Sequence, residues 1–470
     1  MAEARGEDGE APDQPAPAAP AAPTPDTSGE GVFSSLRIRN FRLLWFGVVS
    51  HALALWMEQI ARPYLIYELT ESPLQLGGVI VARTLPQFGF GILAGVMIDW
   101  FDRKLVLQLS QYGALLLNVV FAALLIFDLL ELWHIYAAAA VRGTTMAFDQ
   151  PARQALLPTV VPTDRVTNAV ALFSATQNTM RIGGTAAAGF TIAVIGVDGA
   201  FVAIALIYVG AVVSTALLRV ATHVRPEESG AGAMLAGLGD AMRYALATPQ
   251  IRGAISLALI HFAFGLSFLH LYAALFALEV LDIGPFGFGI MMSITGLGSL
   301  TGALIIASRS PRNLGQLLPL MMAAMGVLLI VFSLSTYVPD ALGRPWLVLP
   351  LLLVFGVGLF QSGIFALVQV VVLDAAPDQM RGRLMGLLAF DRATMLMGAA
   401  AGGAIAEAIG VQRAQIIYAL LVVIGALAIL AFARRFRRTV IGARVPTAAP
   451  GTRRHAAAGV RSAAGRRATS

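Results

Sequence analysis

The chain has 470 residues, of which 57% are hydrophobic and only 13% are charged, and its mean hydropathy is +0.75. This excludes an ordinary water-soluble domain, in which about 25% of residues are charged. Cysteine is absent, which excludes disulfides, thiolate nucleophiles and cysteine-based metal sites. The net charge of +6 does not indicate nucleic-acid binding, because the basic residues lie between and after the apolar segments, as membrane topology requires.

An acidic stretch rich in Ala and Pro opens the chain, and because it has no apolar core we predict a disordered cytoplasmic leader over 1–36. Twelve apolar segments follow, each long enough to cross about 30 Å of hydrocarbon as a helix. Ser72-Pro73 and Thr248-Pro249 offer helix starts, with an N-cap residue before a proline at the first helical position. The predicted spans are 42–66, 73–98, 105–127, 134–158, 166–195, 198–219, 251–279, 286–308, 313–336, 346–373, 384–409 and 413–433.

The 33 lysine and arginine residues are distributed unevenly between the connections. Segments on the side of the two termini are strongly basic, whereas the opposite loops contain only Arg344 and Arg413 together with several acids. Cytoplasmic loops of membrane proteins carry an excess of basic residues. We therefore expect both termini in the cytoplasm.

The longest interior break, 221–250, separates six spans from six. Its second part has an apolar stripe at helical spacing, which predicts an amphipathic helix on the inner membrane surface; a plain linker is the alternative. The fold class is thus an all-α membrane protein with twelve transmembrane helices in two six-helix bundles, 37–220 and 251–435, followed by a basic disordered cytoplasmic tail over 436–470. The stripe comprises Met234, Leu235, Leu238, Met242 and Leu246.

The two halves share a sequence pattern. Pro162 to Gly183 and Pro377 to Gly398 span the same interval, and each leads into a helix rich in Gly and Ala. This pattern supports an internal duplication. In transporters built from repeats, the binding site lies between the repeats near the middle of the membrane.

The loop after the second span contains Gly95, Asp99, Arg103 and Lys104 at the spacing of a well-known motif. It resembles the Gly-x-x-x-Asp-Arg-x-Gly-Arg-Arg loop of the major facilitator superfamily, although Trp100 and Asp102 replace its arginine and glycine. The resemblance implies that this loop holds neighbouring helix ends together on the inner side. It also implies the major facilitator fold, in which two six-helix domains rock about a central cavity.

Further segments resemble one branch of that superfamily. They are the stretch from Asn40 (NFRLLWFG), the stretch Glu68-Leu-Thr-Glu-Ser72-Pro73, and Ala147-Phe-Asp149-Gln-Pro151-Ala-Arg153. All are similar to bacterial exporters of the enterobactin-exporter and macrolide-efflux type. The resemblance implies proton-driven export of small molecules across the bacterial inner membrane.

Ionisable residues inside the spans are candidates for proton coupling or substrate binding, since an unpaired charge in the membrane is costly. In the first span, Glu58 and Arg62 are spaced i, i+4 and can neutralise each other, and Arg83 of the second span is another possible partner. A purely structural ion pair is the alternative for Glu58. In the fourth span, Arg142, Asp149 and Arg153 form one stripe, and Asp149 can pair with Arg153.

Arg181 lies near mid-membrane with no acid one turn away on its own helix. It therefore needs a partner elsewhere, for which Asp149 or Glu58 would serve, or an anionic substrate. Gln361 could line the cavity, and Asp391 is the candidate acid of the second half.

No phosphate-binding loop, zinc-protease motif or nucleophile elbow occurs in the sequence. We therefore predict a protein that is not an enzyme and that has no metal site and no cofactor. Its expected partners are a small-molecule substrate, protons and the lipid bilayer, without nucleic acid, and we expect a monomer. Two alternatives stay open: an importer or uniporter of a narrow substrate, and a non-transporting membrane sensor or scaffold that uses its basic tail.

Overall fold

Helices form every regular element that the computed structural model describes, over residues 33–220, 231–309, 311–337, 347–377, 380–388 and 391–440. Short connections join most of them. Their bounds are α1 Arg39–Thr70, α2 Pro73–Trp100, α3 Arg103–Ile126, α4 Leu132–Val160, α5 Val166–Ala216, α6 Ala231–Ala247, the compound helix α7 Pro249–Val280, α8 Gly284–Arg309, α9 Leu314–Ser335, α10 Val348–Ala375, α11 Arg381–Leu387, α12 Asp391–Ile409 and α13 Val411–Phe432.

Eight helical stretches of the described residues are long and apolar enough to cross a membrane. One of them contains α5, in which Gly196 has φ 78° and ψ 174°, a conformation that glycine adopts without steric cost. This break separates the two spans predicted as 166–195 and 198–219. Within the span predicted as 384–409 the structure describes α11 and α12, and positions 389–390 between them lie outside the described residues.

Local sequence explains where several helices begin. The Ser72 hydroxyl accepts a hydrogen bond from the backbone N–H of Gln75 at 3.3 Å, and Pro73 occupies the first position of α2. Helix α7 also begins at its expected proline, Pro249, but the Thr248 side chain forms no cap. Proline tolerates this position because the first N–H of a helix has no intrahelical partner.

The α6 helix occupies the second part of the segment between the halves. Its Ala241 and Ala245 are buried against the bundle, whereas the Met242 and Leu246 side chains are 41% and 56% exposed. Of the predicted stripe, Met234, Leu235 and Leu238 have side-chain surroundings outside the described residues. The two described members therefore present apolar surface outward, as a helix lying on a membrane would.

The two ends of the bundle differ. We call the side with both ends of the described chain the terminal side, and the side with the α1–α2, α7–α8 and α12–α13 connections the distal side. Helices α1–α5 form the N half and α7–α13 the C half. The halves meet mainly where α2 crosses α12 and α5 crosses α8, and both crossings lie toward the distal side.

Glycines allow the helices to touch at these crossings. A Cβ atom on Gly77 would lie 2.7 Å from the Ala399 carbonyl oxygen of α12, and one on Gly403 would lie 3.2 Å from the Gly77 Cα. At the other crossing, a Cβ on Gly289 would lie 3.1 Å from the Gly189 Cα. Small residues at such positions let helix backbones approach closely in membranes.

A hydrogen-bonded contact joins the halves beside the first crossing. The Glu407 carboxylate at the end of α12 accepts hydrogen bonds from the Ser72 hydroxyl at 2.9 Å and the Leu74 backbone N–H at 3.2 Å. An acid of the C half thus caps the start of α2, where the helix dipole favours a negative charge.

Gly77→Ala tests the close crossing against a matched control on the same helix, Gly89→Ala. Gly77→Ala should destabilise the protein by about 1–3 kcal/mol, because the added methyl overpacks the interface. Gly89 has open space around its Cβ position, so Gly89→Ala should be neutral or should stabilise the helix by about 0.5–1 kcal/mol. The melting temperatures of the purified proteins in one detergent measure this, and equal shifts would contradict the tight crossing.

Candidate functional site

A buried charge cluster surrounds Glu58 of α1. Glu58 is only 3% exposed, and its Oε2 accepts a hydrogen bond from Arg142 Nε at 2.7 Å. The Nδ2 of Asn118 on α3 donates to its Oε1 at 2.6 Å. Arg62 lies farther away, with its Nη2 at 3.8 Å from Oε1. The predicted i, i+4 pair of Glu58 with Arg62 therefore forms, but only at long range, and Arg142 on α4 makes the closer ion pair.

Aromatic residues complete this cluster. Arg142 also donates a hydrogen bond to the Tyr208 hydroxyl, which comes from α5 beyond its break. The Arg62 guanidinium lies over the rings of Phe121 and Phe201, at 5.1 and 5.7 Å from their centroids. Cation–π contacts of this kind partly compensate a desolvated arginine. Four helices thus converge on one carboxylate.

A second ion pair lies closer to the terminal side. Arg153 Nη2 donates to the two carboxylate oxygens of Asp149 at 2.9 and 3.0 Å, within α4, as the i, i+4 spacing suggested. His51 Nε2 lies 3.4 Å from Asp149 Oδ1. These three side chains are almost fully buried, yet they line a cavity of about 670 Å³.

Two of the predicted site arginines, Arg83 and Arg181, have no carboxylate partner among the described residues. Arg83 Nη1 donates to Gln59 Oε1 at 2.6 Å, so the alternative pairing of Glu58 with Arg83 does not form. Arg181 Nη2 donates to the Gly296 carbonyl oxygen of α8 at 3.3 Å, and its guanidinium lies 5.9 Å from the Trp56 ring centroid. The expected pairing of Arg181 with Asp149 or Glu58 is therefore wrong.

The motif loop joins helix ends within the N half. Arg103 Nη1 donates to a carbonyl oxygen of α4 at 3.1 Å, and Lys104 Nζ donates to two carbonyl oxygens at the end of α5 at 2.7 and 3.1 Å. Asp102, which replaces the motif glycine, caps the start of α3 through two backbone N–H groups. Gly95 and Asp99 lie in α2, and their side-chain surroundings fall outside the described residues.

The remaining candidates lie in the C half. Gln361 is buried in α10, and its side-chain amide has no hydrogen-bond partner within the described part of the chain. Asp391 begins α12, but its side chain lies outside the described residues. Among the described residues, no group of three potential metal ligands occurs.

Three adjoining cavities follow α1, and all three have Leu55 and Met146 in their walls. The terminal cavity is the one beside Asp149. The central cavity has a volume of about 280 Å³ and lies between the halves, with Arg83 on one wall and His270 and Phe262 of α7 on another. The Glu58 cavity, of about 40 Å³, is large enough for a water molecule. The acid therefore adjoins the space between the halves.

Sequence reasoning missed several residues of this site. One feature of the sequence could have identified Asn118 and Tyr208, because each is a polar residue within an otherwise apolar segment. His270, which lines the central cavity, was not among the predicted site residues, and His261 lies nine residues before it. Both are within α7, where three π-helical turns, including Phe268–Tyr272, change the rotation per residue and hence which residues share a face.

The model of the transmembrane secretion effector family matches residues 30–443. The chain belongs to this family of the major facilitator superfamily. The superfamily resemblance is therefore confirmed, and the chain is a multi-pass membrane transporter rather than an enzyme, with a small molecule as its substrate.

Three bacterial relatives align over most of their length. The uncharacterized MFS-type transporter YfiS of Bacillus subtilis is 26% identical, over 77% of this chain and 86% of its own. The staphyloferrin A transporter of Staphylococcus aureus is 24% identical (76% and 87%), and the multidrug efflux pump Tap of Mycolicibacterium fortuitum is 26% identical (75% and 86%). Efflux-type proteins are thus among the relatives of this major facilitator transporter.

Solved structures agree on the fold. A peptide transporter POT has a TM-score of 0.67 at 15% identity and covers 88% of this chain and 97% of its own. At this identity the likeness establishes the transporter fold alone.

A double-mutant cycle on Glu58 and Arg142 measures how strongly the buried pair is coupled. Glu58→Gln should destabilise the transporter by roughly 3–5 kcal/mol, because it leaves Arg142 buried without its counter-charge. Adding Arg142→Gln should recover part of that loss. The melting temperatures of the four purified proteins give the coupling.

The Asp240 and Arg243 pair of α6 is the matched control, since its side chains are 49% and 82% exposed. Exposed pairs contribute about 0–1 kcal/mol, so Asp240→Asn and Arg243→Gln should act additively and weakly. Additive effects at Glu58 and Arg142 as well would show that these two residues do not act as a pair.

Proposed function

We propose that this transporter is a proton-coupled exporter of small amphipathic molecules that works by alternating access. It crosses the bacterial inner membrane twelve times as a monomer, with both termini in the cytoplasm and with two six-helix bundles, 37–220 and 251–435. The segment 221–250 is a cytoplasmic linker with an amphipathic helix. The disorder predicted for the leader 1–36 and the tail 436–470 is wrong at their inner ends, because Ser34–Arg37 and Arg434–Arg437 form short helices with buried residues. The efflux-type relatives support the export direction, and the basic terminal side supports the orientation.

The Glu58 cluster is the observation that carries the proton-coupling proposal. With Glu58 ionised, its charge is opposed by Arg142 at 2.7 Å and by Arg62 at 3.8 Å. Protonation of Glu58 removes the negative charge and leaves two buried arginines repelling each other. That state is costly in a low-dielectric site, so protonation must be accompanied by movement of Arg142 or Arg62.

Movement of Arg142 would be transmitted to other helices. Arg142 belongs to α4 and holds Tyr208 of α5 as well as Glu58 of α1. Release of Arg142 therefore loosens three helices of the N half at once. A change in the protonation of one acid can in this way bias the equilibrium between two arrangements of the halves.

The asymmetry between the two ends supports alternating access. On the distal side the halves are closed by the glycine crossings and the Glu407 contact. The largest of the three adjoining cavities, beside Asp149 and Arg153, lies toward the terminal side. We assign this conformation to the state that receives substrate from the cytoplasm.

Proton movement in inverted membrane vesicles tests the coupling. Vesicles with an imposed pH gradient receive a panel of macrolides, lipophilic cations and catecholate siderophores, and dye fluorescence reports the gradient. We expect at least one compound to collapse the gradient in vesicles with the wild-type transporter, and Glu58→Gln to abolish this response. The exposed Asp240→Asn variant should respond as the wild type does, and a Glu58→Gln variant with full coupling would remove Glu58 from the mechanism.

Cross-linking tests the distal closure, and the natural absence of cysteine makes the experiment direct. Ser72→Cys and Glu407→Cys place one thiol on each half where the two side chains meet. A short bifunctional thiol reagent should arrest transport in the double variant, because the distal side can then no longer open. Each single variant with the same reagent is the control, and undiminished transport by the bridged protein would contradict alternating access through this interface.

A further inference from the structure

Buried hydrogen-bond donors without partners surround the central cavity. The Arg83 Nε and Trp56 Nε1 groups and the Thr84 hydroxyl are each buried and have no hydrogen-bond partner among the described residues. All three residues line this cavity. Arg83 and Trp56 can only donate through these atoms, and the hydroxyl can donate as well. The residues that carry these unpaired donors border the cavity, so rotation of their side chains would present the donors to a ligand rich in acceptors.

The excess of positive charge inside the N half also favours a ligand rich in acceptors. Among the described residues of this half the buried acids are Glu58 and Asp149, whereas the arginines inside the bundle are Arg62, Arg83, Arg142, Arg153 and Arg181. Glu58 is held by Arg142 and Arg62, and Asp149 by Arg153. This leaves Arg83 and Arg181 without a carboxylate in the described structure. Positive charge in a membrane interior is costly unless it meets water or an opposite charge.

Trp56 is near Arg181 and lines the same cavity as Arg83. Its indole lies 5.9 Å from the Arg181 guanidinium. The Arg181 Nε also has no partner within the described part of the chain, and its Nη2 forms only a 3.3 Å bond to a backbone carbonyl. Arg181 can therefore add to the positive potential of the cavity without breaking an ion pair.

Apolar side chains share the rest of the cavity lining with His270 and two glutamines. Phe262 of α7, Met395 of α12 and the shared residues Leu55 and Met146 contribute carbon and sulfur surface. Methionine side chains adapt to ligands of different shapes, and the Phe262 ring can pack against an aromatic or aliphatic group. The cavity therefore combines a cationic, donor-rich wall with an adaptable apolar wall.

We propose that the central cavity binds amphipathic organic anions, with the oxyanion on Arg83, Trp56 and Thr84 and the apolar body against Phe262 and Met395. The proposal rests on the proposed function in taking this cavity as the substrate site, and it specifies the substrate class. Arginine suits a carboxylate or a similar oxyanion because its planar guanidinium donates two parallel hydrogen bonds. A cationic amphiphile would meet two uncompensated arginines instead.

Three probes of equal shape and different charge test the proposal: 1-naphthylacetate, its neutral amide and 1-naphthylethylammonium. Calorimetric titration of the full-length protein in nanodiscs should show the anion binding at least about tenfold more tightly than the amide, as a charge-assisted hydrogen bond predicts. The ammonium should bind most weakly. Equal affinity for the amide and the anion, or no binding of any probe, would overturn the proposal and indicate a cavity that holds only water.

Substitutions of Arg83 and Trp56 test which residues produce the preference for the anion. Arg83→Gln should remove the anion's advantage, whereas Arg83→Lys, which keeps the charge, should retain part of it. Trp56→Phe keeps an aromatic ring without the N–H donor and should weaken anion binding several-fold. Arg413→Gln, at an exposed position of α13, is the matched control and should bind as the wild type does. An anion preference that survives in Arg83→Gln would overturn the assignment of Arg83.

The same probes in proteoliposomes separate this proposal from the proposed function. If the anion binds but a pH gradient does not drive its movement, the anion site stands and proton-coupled transport fails. If the gradient drives movement of the ammonium and not of the anion, transport stands and the anion site fails.

Discussion

Ionised side chains inside hydrocarbon must find opposite charge, hydrogen bonds or water, and this constraint governs the N half of the transporter. Glu58 meets it with Arg142 and Asn118, and Asp149 meets it with Arg153. Each arrangement needs helices held at fixed distances, so the packing of α1, α3, α4 and α5 is tied to these contacts. The arginines left over lie where cavities separate the helices. The same helix packing therefore determines the positions of both the cavities and the charges.

The contact between the halves follows a different rule. Lipid supplies no hydrophobic force between helices, so close backbone approach matters, and glycines at both distal crossings allow it. Such contacts involve few interlocking side chains, and the Glu407 carboxylate that joins the halves beside the first crossing is exposed. The interface is therefore suited to opening, whereas the buried cluster of the N half is suited to holding its helices together.

The fold could be predicted largely from the sequence, because apolar length and turn residues act locally. The break at Gly196 and the start of α2 at Pro73 are examples. The site was less accessible, since i, i+4 spacing identifies partners on one helix only. This spacing predicted the pair of Asp149 with Arg153, but the closest counter-charge of Glu58 is 84 residues away, and Tyr208 lies 66 residues beyond Arg142.

The same limit explains Arg181. A mid-membrane arginine without a nearby acid suggested a distant carboxylate, yet the structure gives it a carbonyl oxygen of the other half and an aromatic ring. Both are weak partners for a guanidinium, so its full positive charge persists near the boundary between the halves. Because Arg181 of the N half reaches Gly296 of the C half, any rearrangement of the halves must change its surroundings. A ligand that attracts Arg181 would consequently act on the interface itself, which links occupancy of the central cavity to the conformation of the transporter.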